Sequence, residues 1–380
     1  MLWLALKMLF HEKIRLAITL IGITVSAVLV LVQVAIYLGS MRNATALILH
    51  TDADIWVTSR NIQTFDFALP FSEEVIDRVR ALPEVERAGK ILLAYGNLKL
   101  PDGGLEQVQM IGYNPNTGLG APWAMRVGNA ADVKGGDFMI LDESAEPRLG
   151  PLTIGSNWEL DFANRPQSFK LVGISQGIRS FTTSPIVFMD YNALSQWMAD
   201  VGWPGQTAFI VAKLRPGSNA SRVAAALRRE LPDNDVFTRD GFIAKSVKYW
   251  TIETGLGMAF FLTALLATVI GGSIVGQTIY ASTIEHLREF GTLKAIGARN
   301  GEIYQVIFSQ AVIGAVAGYG LATVVVLSAE GTVERAGVPF HLSAAVFVAL
   351  FVVLLLACLG SAYFSVGKIR TLDPVSVFKG

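Results

Sequence analysis

The chain has 380 residues, of which 52% are hydrophobic and 16% are charged, and its mean hydropathy is +0.46. Soluble domains ordinarily carry about 25% charged residues, so this composition indicates an integral membrane protein. The 31 Lys and Arg balance the 31 Asp and Glu, and this balance gives no support to nucleic acid as a partner.

The N-terminal region predicts a cytoplasmic amphipathic helix at residues 1–15 and a first membrane helix from residue 16. Residues 16–38 lack Lys, Arg, Asp, Glu and His, and about 20 helical residues suffice to cross the hydrocarbon core of a bilayer. Basic residues precede this run as they precede a signal peptide, but it is longer than a signal's apolar region and no clear cleavage site follows it. We expect a retained anchor that continues as a stalk to residue 50.

The long insert at residues 51–240 has the mixed strand and helix patterns of an α+β domain. Its first part predicts a strand at 54–59 and a helix at 72–82 with Ser72 as N-cap. The next stretch, 90–114, predicts a hairpin whose turn is formed by Asp102, Gly103 and Gly104.

The last part of the insert repeats this order. It predicts a strand at 207–214, a helix at 219–231 capped by Asn219, and a strand at 235–238. The two βα units flank a strand-rich middle at 138–190. We therefore expect a split-βαβ, ferredoxin-like module with a smaller β-rich insertion.

Three further apolar runs follow, at 256–280, 303–327 and 342–364, again without ionisable residues. Basic residues concentrate before the first run, between the second and third, and after the fourth, whereas the loop between the last two runs has only Arg335. Both termini are therefore expected in the cytoplasm of a multi-pass inner-membrane protein, and the insert in the periplasm.

The predicted fold class is an α-helical membrane domain of four transmembrane helices with an α+β periplasmic domain between the first and second. The remaining predicted segments are a stalk and second span at 241–280, a short cytoplasmic helix at 281–302, spans at 303–327 and 342–364, and a cytoplasmic tail at 365–380.

The sequence lacks the motifs that several kinds of chemistry require. No complete phosphate-binding loop GxxxxGK[ST] occurs, and the four spans carry none of the ionisable groups that ion-coupled carriers use. The four histidines are dispersed and Cys358 has no second cysteine, so no metal cluster is indicated. We expect no catalytic residue, metal or cofactor on this chain.

Two pairs of glycines have the spacing that allows membrane helices to approach closely. Gly272 and Gly276 lie in the second span, and Gly314 and Gly318 lie in the third. Packing within one chain explains this spacing at least as well as contact between two copies does.

The polar segment between the second and third spans predicts a short amphipathic helix. Its apolar residues recur at helical spacing, with charged residues towards the other face: Leu287, Phe290, Leu293 and Ile296 against Arg288, Glu289 and Lys294. A helix of this length is unstable alone in water, so it must lie against membrane, neighbouring helices or another protein. The simpler alternative is an interfacial connector with a solvated charged face.

The stretch "REFGTLKAIGA" at 288–298 resembles the loop between the second and third spans in permeases of the FtsX and MacB type, which are ABC transporter subunits. The start "LWLALKMLFHEKIRLAITLIGITV" and the ending "IRTLDPVSVFKG" are similar to that family too, and within it the DevC group is most similar. The resemblance implies that this helix docks into a groove of a separate ATPase. The residues implied for this coupling helix are Glu285, Arg288, Glu289, Phe290, Gly291, Leu293, Lys294 and Gly297.

Within this group, Glu289, Gly291, Lys294 and Gly297 are expected to make the coupling contact, with Phe290 and Leu293 as hydrophobic anchors. The resemblance also implies a homodimeric permease, with ATP and Mg bound by the partner ATPase. DevC-like members are associated with export of lipids or other amphiphiles through a periplasmic adaptor and an outer-membrane channel. Similar permeases instead release lipoproteins or act as scaffolds that regulate cell-wall hydrolases.

Overall fold

The computed structural model describes residues 2–182 and 185–366, so the predicted tail and the ending "IRTLDPVSVFKG" fall outside the described residues from position 367 onwards. The α-helices, in chain order, are α1 (Leu2–His11), α2 (Lys13–His50), α3 (Val75–Arg80), α4 (Glu146–Leu149), α5 (Tyr191–Asp200), α6 (Ala220–Glu230), α7 (Arg239–Lys248), α8 (Leu256–Glu285), α9 (Leu287–Ala295), α10 (Asn300–Arg335) and α11 (Ala344–Val366). The strands are β1 (Ile55–Ser59), β2 (Phe71–Ser72), β3 (Val85–Lys99), β4 (Leu105–Tyr113), β5 (Met125–Val127), β6 (Phe138–Asp142), β7 (Asn157–Phe162), β8 (Arg165–Ser175), β9 (Ile186–Asp190), β10 (Gln206–Thr207), β11 (Phe209–Leu214) and β12 (Asn234–Thr238).

The chain divides into two compact units. The helical unit consists of the residues up to Gly39 and from Leu256 onwards, and the sheet unit is Ser40–Gly255. Within the described residues, four helices of the chain are long and apolar enough to cross a membrane: Lys13–His50, Leu256–Glu285, Asn300–Val333 and Ala344–Phe364. The core of the helical unit is almost wholly aliphatic, with Ile23, Leu31 and Ala315 among its buried residues.

The sheet unit contains the expected split-βαβ arrangement. Strand β1 lies between β12 and β11 and is antiparallel to both, with Ile55 opposite Thr238 on one side and Ala212 on the other. Strand β11 in turn pairs antiparallel with β3. Helix α3 connects β1 towards β3 and helix α6 connects β11 to β12, so two βα units interleave in one sheet.

The strand-rich middle, predicted as a β-rich insertion, lies between the two βα units in the chain and shares their sheet. Its strands continue the same sheet, in the order β12-β1-β11-β3-β4-β9-β6-β8-β5, with β7 beside β3 and β8. The reason is the length of β3. The residues of β3 up to Ile91 pair with β11, and those from Ile91 onwards pair with β4, which in turn carries β9 in parallel.

Local signals predicted some caps and turns correctly. Asn219 caps α6 by accepting a hydrogen bond from the Arg222 amide at 3.0 Å, and the hairpin turns as predicted, with Gly103 at φ +86°. The prediction for Ser72 was wrong: α3 begins at Val75, and Ser72 ends β2, where it pairs with Gln206 of β10. Because Ser72 pairs with β10 as a strand residue, it is not the N-cap of α3.

The two connections between the units differ in their backbone. Helix α2 begins in the helical unit and ends in the sheet unit without interruption. The return connection passes through α7 and a π-helical turn at Tyr249–Glu253 and is broken at Gly255, whose φ is +73°. The segment predicted as a second stalk is therefore an interrupted helix.

Candidate functional site

The predicted coupling helix exists as a separate element, α9, bounded by two breaks in the helical backbone. At its start His286 occupies the N-cap position with non-helical backbone angles. At its end Gly297 has φ +108°, its amide donates to the Lys294 carbonyl at 3.0 Å, and the Ala298 amide donates to the Leu293 carbonyl at 2.9 Å. This pair of bonds is the glycine-terminated helix end called the Schellman motif. Its left-handed conformation accounts for a glycine at position 297.

The inner side of α9 is held by its own chain. Phe290 is 4% exposed and belongs to the core of the helical unit, Gly291 is buried, and Leu293 packs partly against the same core. The coupling contact predicted for these residues remains a prediction, and in this structure Phe290 and Gly291 lie on the side facing away from solvent.

The outer face of α9, defined here as Arg288, Glu289, Thr292, Ala295 and Ile296, is exposed. Ile296 was expected on the apolar inner stripe, but it is 80% exposed. Because α9 ends at Ala295 and Ile296 is its C-cap, the stripe does not continue that far. The outer face therefore combines charges with one large exposed apolar side chain.

An ion-pair cluster joins the start of α2 to the junction of α8 and α9. The Arg15 guanidinium donates from Nη2 to Glu285 Oε1 at 2.6 Å and from Nη1 to the Glu12 carboxylate. The His286 Nδ1 atom lies 3.6 Å from Glu12 Oε1. Sequence reasoning named Glu285 but missed Glu12 and Arg15, which are far away along the chain and carry no local motif.

The predicted packing glycines all face helices of the same chain. A Cβ added at Gly272 would lie 3.0 Å from Oγ of Ser361 in α11, and one added at Gly276 would lie 3.3 Å from Cβ of the same serine. A Cβ added at Gly318 would lie 2.5 Å from Cγ2 of Ile23 in α2. Gly314 faces the same Ile23 side chain at 3.4 Å. These approaches favour packing within the chain as the reason for both glycine pairs.

A small cavity lies among the membrane helices beside the ion-pair cluster. A cavity of about 30 Å³ there is lined by Met8, Arg15, Thr19, Gln310 and further residues of α1, α2, α8 and α10. This volume accommodates about one water molecule. It is far below the volume that an amphiphilic substrate needs.

The sheet unit has a larger apolar pocket of about 220 Å³. Its walls come from β3, α5 and the segments around β2 and β10, and they are lined by Ala68, Pro70, Leu92, Leu93, Ala94, Phe162, Met198, Trp203 and Ala208. Trp203 is 49% exposed at this pocket. The lining carries no ionisable side chain, so the pocket suits a hydrocarbon group better than a polar one.

The buried carboxylate of Asp66 links two loops of the sheet unit through hydrogen bonds. Asp66 is 3% exposed and accepts hydrogen bonds at Oδ1 from Ser180 Oγ at 3.0 Å and Thr182 Oγ1 at 3.1 Å, with Gln109 Nε2 at 3.4 Å. Burial raises the pKa of Asp66, and the hydrogen bonds oppose that rise. Among the described residues, no group of three or more His, Cys, Asp and Glu could hold a metal ion.

Two family models match successive parts of the chain. Residues 16–230 match the family model of the MacB-like periplasmic core domain, and residues 261–374 match that of the FtsX-like permease C-terminal region. An uncharacterized ABC transporter permease of Mycobacterium tuberculosis is 24% identical over 384 residues, covering 100% of both chains. The macrolide export ATP-binding/permease protein MacB of Neisseria gonorrhoeae is 26% identical over 197 residues, which are 50% of this chain and 30% of that protein.

Two solved structures resemble about half of the chain at low sequence identity. The periplasmic region of MacB from Actinobacillus actinomycetemcomitans has 14% identity and a TM-score of 0.36, covering 51% of this chain and 94% of that one. The extracellular domain of the transporter YknZ from Gram-positive bacteria has 12% identity and a TM-score of 0.35, covering 49% of this chain and 98% of that one.

Proposed function

The chain belongs to the MacB/FtsX-type ABC transporter permeases, and on that premise we propose that it is the membrane subunit of an exporter driven by a separate ATPase. In this proposal α9 docks on the ATPase subunit, which carries ATP and Mg, and both termini are cytoplasmic. The permease works as a homodimer, since closed two-fold dimers are the commonest oligomers.

The observation that carries the proposal is the two-sided character of α9. Its inner side is buried in the helical unit through Phe290, while its outer face exposes Arg288, Glu289 and Ile296 between two membrane helices. A short helix that exposes charged side chains near its start and a large apolar side chain at its C-cap offers both kinds of group that protein contact sites combine.

Motion of α9 would reach the sheet unit through its contacts with the helical unit. Displacement of α9 would move Glu285 and His286, and the ion-pair cluster would transfer that displacement to Arg15 and so to α2. Because α2 is continuous into the sheet unit, its movement would be passed on without an intervening hinge. The chain itself performs no bond chemistry in this scheme.

We further propose that the exported substrate is a lipid or another amphiphile. The apolar pocket of about 220 Å³ in the sheet unit supports this class, because its lining suits an acyl or similar apolar group. The cavity among the helices is much smaller, so in this proposal the substrate is taken up outside the helices and passed to an adaptor and outer channel. Lipoprotein release and regulation of a cell-wall hydrolase are the alternative outputs of the same movement.

The experiment that tests the proposal is purification of the tagged full chain from its native membrane in mild detergent, comparing wild type with Ile296→Asp. The proposal requires that a phosphate-loop ATPase co-purifies with wild type and is lost with Ile296→Asp, because a charge replaces the exposed apolar side chain at the end of α9. Ile154→Asp is the matched control, since Ile154 is 43% exposed in the sheet unit. Equal recovery of ATPase with both variants would contradict the docking role of α9.

A further inference from the structure

An apolar patch lies on the sheet unit just before the chain enters its second membrane helix. The patch, called here the juxtamembrane patch, consists of Phe67, Phe181, Tyr249, Trp250 and Ile252. Its rings are in mutual contact, with centroids 4.3 Å apart for Phe181 and Trp250, 5.8 Å for Phe67 and Trp250, and 6.2 Å for Phe67 and Tyr249. Phe67 is 50% exposed and Ile252 is 66% exposed.

The patch is a fixed surface rather than a group of loose side chains. Trp250 is buried to 9% exposure at its centre and its indole N–H donates to Thr64 Oγ1 at 3.2 Å. The loop that carries Phe67 is tied to the segment that carries Phe181 through Asp66, which accepts from Ser180 and Thr182. Exposed apolar side chains on such a rigid base indicate an interaction surface.

The length of the intervening chain fixes how far this surface can be from the bilayer. Ile252 stands four residues before Leu256, the first residue of α8, and four extended residues reach at most about 14 Å. Helix α8 exposes large apolar side chains from its first turns, with Met258 and Phe261 60% and 61% exposed. Hydrocarbon contact therefore begins within a few residues of the patch, whatever the arrangement of the two units.

From this continuity we infer that the juxtamembrane patch rests in the headgroup layer of the outer leaflet, so that its partner is the lipid surface. Tyrosine favours this layer because it has an apolar ring and one polar group, and Tyr249 of the patch is only partly buried. The headgroup region is roughly 5–8 Å thick on each side of the core, well within the reach of the chain from Leu256. The inference needs α8 to span the membrane from its first turns with the sheet unit on the outer side, and it holds whether or not α9 binds an ATPase.

The test uses spin labels on one introduced cysteine at a time in the full chain, reconstituted in nanodiscs of phosphatidylethanolamine and phosphatidylglycerol. The native Cys358 is fully buried, so the unsubstituted chain gives the labelling background. Labels are placed by Phe67→Cys and Ile252→Cys, and by Leu105→Cys as a control, since Leu105 is 61% exposed beside the hairpin turn. Collision with oxygen, which partitions into lipid, is compared with collision with a water-soluble nickel chelate.

We expect the oxygen-to-nickel ratio to be several-fold higher at positions 67 and 252 than at 105. A ratio equal to that at 105 would show that the patch faces water and would overturn the inference. Low collision with both reagents at 67 and 252 would show that protein covers the patch, either a second copy or another subunit, and would also overturn it. Bimane attached to the same cysteines gives an independent measurement, with blue-shifted emission expected at 67 and 252 relative to 105.

Discussion

Some residues of this protein act through contacts with close neighbours in the sequence, and others act through contacts with distant residues. Asn219 and the turn residues Asp102 and Gly103 act on neighbours two or three positions away, so their roles could be predicted from the sequence. Arg15 and Glu285 meet across most of the chain. Such a pair has no local signal, and only the packed helices bring it together.

Asp66 makes a pH-dependent contribution to stability. Burial raises its pKa in the folded chain, so the folded state binds this proton more tightly than the unfolded state. The stabilising contribution is therefore fully present below the ordinary pKa of about 4 and is lost as the pH rises through the raised value. The melting temperature of Asp66→Asn relative to wild type should thus increase as the pH is raised from about 4 to about 7.

The matched control for this experiment is Asp77→Asn, because the Asp77 side chain is 80% exposed. Its melting temperature relative to wild type should stay nearly constant over the same pH range. A constant difference for Asp66→Asn as well would contradict the raised pKa.

At the scale of elements, the packing of α2 against α10 depends on a glycine. A Cβ at position 318 would lie 2.5 Å from Cγ2 and 2.7 Å from Cβ of Ile23, a β-branched side chain that has little freedom to move. Gly318→Ala should therefore destabilise the chain by about 1–3 kcal/mol. Gly320→Ala in the same helix should be neutral or stabilising by about 0.5–1 kcal/mol, because nothing lies within 4 Å of that position.

Unfolding of both variants in detergent, followed by loss of helical signal in denaturant, measures this difference. Similar effects at 318 and 320 would mean that α2 and α10 do not approach at Gly318.

The ion-pair cluster should matter for coupling more than for stability. The Glu285 side chain is 55% exposed, so water screens its pair with Arg15 and Arg15→Glu should leave the fold intact. It places a carboxylate beside Glu12 and Glu285, and we expect it to reduce permease-dependent ATP hydrolysis in the reconstituted complex. Adding Glu285→Arg should restore a substantial part of that activity, because the pair is re-formed with reversed charges. Failure of the double variant to exceed the single one would assign Arg15 a role other than pairing with Glu285.

Elements differed in how far the sequence predicted them. The four apolar helices and the existence of α9 could be predicted because composition and helical periodicity are local properties. The burial of Phe290 and Gly291 could not, since it depends on which neighbours the short helix meets. The continuation of the sheet past β3 was also missed, because the sequence shows a long strand but not which partners occupy its two edges.

For the whole molecule, the continuity of α2 and the break at Gly255 make the two connections mechanically unequal. Three glycines inserted after Ser40 would interrupt α2, since each glycine weakens a helix interior by about 1 kcal/mol. The same insertion after Gly255 extends a connection that is already broken. We expect the ATP-dependent change in hydrogen exchange of the sheet unit to be lost with the first insertion and retained with the second. The opposite result would assign the transmission of movement to α8.

The sheet order also has a consequence for how the protein is made. Strand β1 is synthesised first, yet both of its neighbours, β11 and β12, are the last strands of the sheet unit to appear. Until they do, β1 has two unpaired edges, and such long-range pairing is slow to form. A nascent chain would remain open to proteases and chaperones until nearly the whole sheet unit had been synthesised. Truncation just before Asn234 should therefore produce rapid degradation rather than a shortened domain.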